Sequence, residues 1–162
     1  MASAFDPQAF LDAQITEPNE RRANLPVDNP DAPDGLYTAV IGEVSAKSGA
    51  IGKGDRIGQP WLSMVVPLRI TIPAQVQNAL KLPAEITLTD NVFIDLTPEG
   101  LMDNAPGRNR RQKEYRDALD LNKAGTPFSW RATSGRVVKV KVKQEMYDGL
   151  PQDRVATILR AA

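Results

Sequence analysis

The run Trp61-Leu-Ser-Met-Val-Val-Pro-Leu-Arg-Ile-Thr-Ile72 carries the clearest alternation in the first half of the chain. Leu62, Met64, Val66, Leu68, Ile70 and Ile72 fall on one parity and predict a core face. Trp61, Ser63, Val65, Pro67, Arg69 and Thr71 fall on the other. A period of two over this length reads as a long, half-buried β-strand. Pro67 lacks an amide hydrogen, so an edge position or a bulge is expected there.

Upstream, Leu36 to Val44 reads as a preceding strand that runs into the glycine-rich stretch Gly49-Ala-Ile-Gly-Lys-Gly54. That stretch lacks the spacing and the terminal Lys-Ser/Thr pair of a phosphate loop and is expected to be a mobile hairpin loop. Downstream, Pro73 to Leu80 suits a short helix and Ile86 to Leu96 a third strand. A turn-rich segment, 97–107, leads to a polar helix over about Asn109 to Leu121, with Tyr115, Ala118 and Leu119 as its apolar stripe. In Arg136-Val-Val-Lys-Val-Lys-Val-Lys143, Val138, Val140 and Val142 point inward and Lys139, Lys141 and Lys143 outward. Asp148-Gly149 signals a tight turn, and Arg154 to Leu159 returns as the fifth strand.

Three strands, a helix and a hairpin predict a mainly β fold: a five-stranded, OB-fold-like Greek-key barrel with a helix between strands 3 and 4. The absence of βαβ alternation argues against a parallel sheet. Residues 1–34 read differently. Phe5-Asp6-Pro7-Gln8-Ala9-Phe10 looks like a short helix start, with Phe5 and Phe10 as a hydrophobic staple. Residues 16–34, rich in Pro, Asn and Asp, read as an extended arm. The expected organisation is therefore an N-terminal arm over 1–34 and a barrel domain over 35–162. An acidic arm of this kind can lie across a basic surface or pair with a neighbouring subunit, so a homo-oligomer formed through it is a possible partner.

With 162 residues, 41% hydrophobic and 25% charged, the chain has ordinary globular composition. No apolar run is long enough for a membrane helix. Residues 1–12 carry neither the basic nor the apolar region of a secretory signal, and cysteine is absent, so the cytoplasm is the expected location. The chain has no histidine. Without His or Cys, the commonest general bases, nucleophiles and zinc ligands are missing. No cofactor is expected, and the chain is read as a binding protein and not an enzyme. A metal-dependent nuclease built on Asp90, Asp95, Glu99 and Asp103 is the enzymatic alternative, set against the plainer reading of four solvated loop acids.

The net charge is zero but unevenly placed. Residues 1–34 hold seven acids against Arg21 and Arg22, whereas residues 107–162 hold 13 bases against 6 acids. A basic C-terminal third suits a polyanion, although it also fits a solvated, salt-bridged surface.

These features sit within a wider pattern. It comprises a Phe-Asp-Pro opening, Gly35-Leu36-Tyr37, Gly58-Gln-Pro-Trp-Leu62, Leu96-Thr-Pro-Glu-Gly100, Arg116-Asp-Ala-Leu119, and a closing Val hairpin through Tyr147-Asp-Gly149. In this order, over about residues 5–160, the chain resembles bacteriophage OB-fold single-stranded DNA-binding proteins and their uncharacterised relatives. The resemblance implies a protein that protects single-stranded DNA during replication or recombination.

Single-strand binding needs cations for phosphates and exposed aromatic faces for bases. An OB-fold places these on strands 2 and 3 and on the loops after strands 1 and 4. The candidates are Trp61, Arg69, Phe93, the loop cations Lys47, Lys53 and Arg56, and Tyr147. Each aromatic has a packing alternative. The stripe Lys139, Lys141 and Lys143 reads either as a phosphate track or as protection of an edge strand. Arg108, Arg110 and Arg111, with Lys113 and Arg116, form a second basic cluster near a helix start, where cations oppose the helix dipole. Phe128 and Trp130 are expected in the core. The runner-up function is a structural or assembly protein that reuses the barrel.

Overall fold

The computed structural model describes residues 5–28 and 32–161; the remainder of the predicted arm, residues 1–4 and 29–31, lies outside the described residues. The elements follow as α1 (Ala9–Asp12), β1 (Leu36–Ile41), β2 (Ser45–Ala50), β3 (Pro60–Thr71), α2 (Ala74–Leu80), β4 (Glu85–Ile94), α3 (Arg110–Ala118), β5 (Val137–Tyr147) and β6 (Leu150–Arg160). The fold is mainly β, with one open antiparallel sheet of six strands. Its order is β2-β3-β1-β5-β6, and β4 lies on the other side of β3.

The alternation at 61–72 is realised as β3, the longest strand. Val66, Leu68, Ile70 and Ile72 are buried, while Arg69 and Thr71 are exposed. β4 follows the same period: Ile86, Leu88, Val92 and Ile94 point inward. Tyr37, Ala39 and Ile41 of β1, the Val138, Val140 and Val142 stripe of β5, and Val155 and Ile158 of β6 complete one core with Tyr115 and Leu119 of α3.

The strand count differs from the expected five. The predicted first strand stops at Ile41, and Ser45–Ala50 forms a separate strand, β2, where a loop is expected. Every residue of β2 is exposed, and it contains no Val, Ile, Tyr or Phe, so neither periodicity nor propensity marks it. It is held by its register with β3, from Ser45 opposite Val65 to Ala50 opposite Pro60.

The break between β1 and β2 explains Pro67. β2 pairs with β3 over residues 60–65 and β1 pairs with it over 68–70, so Pro67 falls in the gap. Its carbonyl accepts the Gly42 amide at 2.8 Å. In a strand, a residue's N–H and C=O point the same way, so the missing N–H of Pro67 faces this gap and interrupts no ladder bond. Gly42 fits there because a Cβ would stand 2.8 Å from the Pro67 ring.

β5 and β6 form the predicted hairpin, longer than expected. Asp148 (φ 50) and Gly149 (φ 77) make a two-residue turn closed by Tyr147 opposite Leu150. β4 and β6 approach each other without a ladder, and α3 packs against both on this open side.

The arm does not stand apart from the sheet. Leu25 is buried in the shared core. Asp153 of β6 accepts from the Leu25 amide and pairs with Arg22; Gln144 donates to the Leu25 carbonyl, and the Tyr37 hydroxyl to that of Pro26. Residues 21–26 thus dock in cis on the β5–β6 hairpin. α1 is exposed throughout, with the Phe5 and Phe10 rings 5.9 Å apart, as the staple requires.

Candidate nucleic-acid interface

The outer face of the sheet is set by register. Residues directly opposite in an antiparallel pair share a face. Lys47, Ser63 and Phe93 therefore form one row across β2, β3 and β4, with Trp61 two residues along β3 from Ser63.

Trp61 is half-buried because its indole lies over Gly49, its cross-strand partner. A Cβ on Gly49 would stand 2.8 Å from the indole Nε1. On its other side Trp61 meets Phe93, with ring centroids 6.2 Å apart and planes tilted by 54°. Phe93 is 65% exposed. The pair offers two aromatic faces at different angles, buttressed from behind by a strand whose glycine leaves room for the larger ring. The packing alternative for Trp61 is thus partly realised: one face of the ring is used by the fold.

The expected cations separate into two groups. Lys47, Lys53, Arg56, Arg69, Arg110, Lys139 and Lys141 have no carboxylate within 4.0 Å among the described residues. Lys47 lies on β2, not in a loop. Lys53 and Arg56 lie in the loop that follows, where Arg56 reaches the Gln59 side chain at 3.1 Å and the Leu96 carbonyl at 3.4 Å. Arg69 is exposed six residues beyond Ser63 on the same side of β3, about 20 Å along the strand. Lys139 and Lys141 stand opposite Thr38 and Leu36 of β1, on that same side.

The second group is committed within the protein. Lys143 pairs with Glu145 at 2.8 Å, and Arg108 with Asp103 at 3.4 Å. Arg111 donates to the Val155 and Ala156 carbonyls, both at 2.9 Å, and meets Asp90 and Glu114. Lys113 pairs with Asp117, and Arg116 lies over the Phe128 ring and bonds the Leu121 carbonyl. Of the basic cluster at α3, Arg110 alone has no side-chain hydrogen bond or ion pair among the described residues. Tyr147 is exposed at the hairpin tip, six residues beyond Lys141 along β5.

Trp130 is half-buried against the edge of the core, edge-on to Tyr115 at 5.0 Å and donating to Gln112, and the half-buried Phe128 packs on Trp130 outside the core, so the expected core role is met only in part. The four acids of the nuclease reading have separate occupations. Asp90 is buried and accepts from Tyr115, Asp95 from the Asn109 amide, and Asp103 from the Ala105 amide, while Glu99 is exposed in a turn. Among the described residues, no group of three or more potential metal ligands converges.

Two residues of this face carry no signal in the sequence beyond their parity: Gly49, which seats the indole, and Ser63, which is buried at its centre. No protein-family model matches this chain, and no curated protein matches it.

Proposed function

We propose that the outer face of β2, β3 and β4 binds single-stranded DNA without catalysis. The carrying observation is the Trp61–Phe93 pair, set on an open sheet face beside Lys47, which has no acidic partner among the described residues. Aromatic faces stack any base, and unpaired cations take phosphates. Arg69, Lys139 and Lys141 extend the cationic track along the same side of the sheet.

Topology supports the same reading. With β1 and β2 counted as one strand bent at Gly42, and the short α2 taken as an insertion between β3 and β4, the order of three strands, α3 and two strands is compatible with an OB-fold. The Trp61–Phe93 row then lies on the strand 2–3 face that OB-folds use for oligonucleotides, with the 51–59 loop at its edge. Protection of exposed DNA in phage replication or recombination is the role this chemistry serves.

The test is tryptophan fluorescence titrated with dT oligonucleotides at low and moderate salt, in a Trp130→Phe background that isolates Trp61. Saturable quenching that weakens with salt is expected. Trp61→Ala should lose about 1–3 kcal/mol of affinity, followed by anisotropy of a labelled strand. Absence of binding at low salt overturns the proposal.

One observation favours assembly as a second reading: α1 and its flanks expose Phe5, Phe10, Leu11 and Ile15. Sedimentation of the full chain beside a variant lacking residues 1–16 separates the two readings.

A further inference from the structure

The candidate interface contains one polar group that the fold leaves unused. Ser63 is 3% exposed, and its hydroxyl has no hydrogen-bond partner among the described residues. An unpaired buried hydroxyl weakens a fold, and alanine would fill the position without that cost. Its surroundings give the hydroxyl a use. On one side lies Lys47 and on the other Phe93, its direct partners across β2 and β4. Trp61 and Val65 are its same-face neighbours along β3.

The row from Lys47 to Phe93 spans two strand spacings, about 10 Å. That is the reach of one nucleotide from its phosphate to the far edge of its base. We propose that Ser63 is a base-contacting residue: with a phosphate on Lys47 and a base stacked on Phe93, the hydroxyl hydrogen-bonds the base edge. This rests on the single-strand reading of the face. Lys47 is exposed and has no carboxylate partner among the described residues, so its side chain is free to turn towards a phosphate, and the proposed contact requires this movement to uncover the hydroxyl. A hydroxyl both donates and accepts, so it serves each of the four bases and adds affinity without imposing sequence.

The experiment compares full-length wild type with Ser63→Ala by anisotropy of labelled dT, dC and abasic oligonucleotides, with thermal melts in parallel. Ser63→Ala is expected to melt no lower than wild type. It should bind dT and dC roughly fivefold more weakly and match wild type on the abasic strand. Equal affinity of the two proteins for dT and dC overturns the proposal and leaves the Trp61–Phe93 reading standing. An equal loss on the abasic strand assigns the hydroxyl to the backbone and overturns the base contact. A lower melting temperature for Ser63→Ala shows that the hydroxyl has a partner within the fold, and also overturns it. A wild type that binds none of the strands removes this inference together with the function beneath it.

Discussion

The indole of Trp61 rests on Gly49, so close that any side chain at 49 would meet the ring. The exposed strand β2 is thereby the backing plate of the aromatic pair, and its one interior glycine has a steric reason. Gly49→Val is expected to push the indole off its seat and to cost about 1–3 kcal/mol through overpacking. Emission of Trp61 in the Trp130→Phe background should shift to the red, and dT quenching should fall with it. Unchanged emission would show that the ring has another seat.

Arg111 holds the open side of the sheet together. The register of β5 with β6 shifts between Lys141 and Val142, which leaves Ala156 as an extra residue in β6. The guanidinium bonds the Val155 and Ala156 carbonyls and pairs with Asp90 on β4 at 3.4 Å. It spans the two strands that no ladder joins. Arg111→Ala should destabilise by about 3 kcal/mol, because it leaves the Asp90 carboxylate buried beside only the Tyr115 hydroxyl. The adjacent Arg110→Ala should stay within about 0.5 kcal/mol. Urea unfolding of the two variants measures both.

Alkali should unfold the protein through its buried phenols. Burial, aided by the Asp153 charge, pushes Tyr37 up to about 12. Burial, the charge of Asp90 and the bond to it move Tyr115 in the same direction. In the unfolded chain a tyrosine ionises near pH 10. Between that value and the folded one, the folded state binds more protons, so stability falls as pH rises. This contribution is fully present below about pH 10 and is lost as pH climbs through the folded value. Urea melts taken at neutral pH and at about pH 11 should show the drop, and Tyr37→Phe should make it shallower.

The docked arm depends on Asp153, whose side chain is 1% exposed and meets Arg22, the Leu25 amide and Gln144. Asp153→Ala is expected to release residues 21–26 and to speed tryptic cleavage after Arg22. Leu25→Ala, which empties a core position, should cost about 2–5 kcal/mol. Equal cleavage rates in Asp153→Ala and wild type would show that the arm is held by Leu25 alone.

Much of this architecture was legible before any coordinates, for a specific reason. Where a strand has one buried face, its sequence must alternate, and 62–72, 138–142 and the Asp148-Gly149 turn carried that signature locally. β2 carried none, since both of its faces meet water and its composition, Ser-Ala-Lys-Ser-Gly-Ala, is that of a loop. The row Lys47–Ser63–Phe93 was likewise invisible, because it is a product of register between three separate strands.

The sequence alone determined which side chains face inward along most of β3 and β5, since a period of two is a property of consecutive residues. It also determined that the chemistry would lack histidine and cysteine. Only the tertiary structure decided which basic residues stay free. Arg108, Arg110, Arg111 and Lys113 look alike in the chain, yet three are tied up by acids or carbonyls of the fold, Arg111 by groups more than 20 residues away. Charge pairing acts through space over a few ångströms, and that distance exists only after the strands have met.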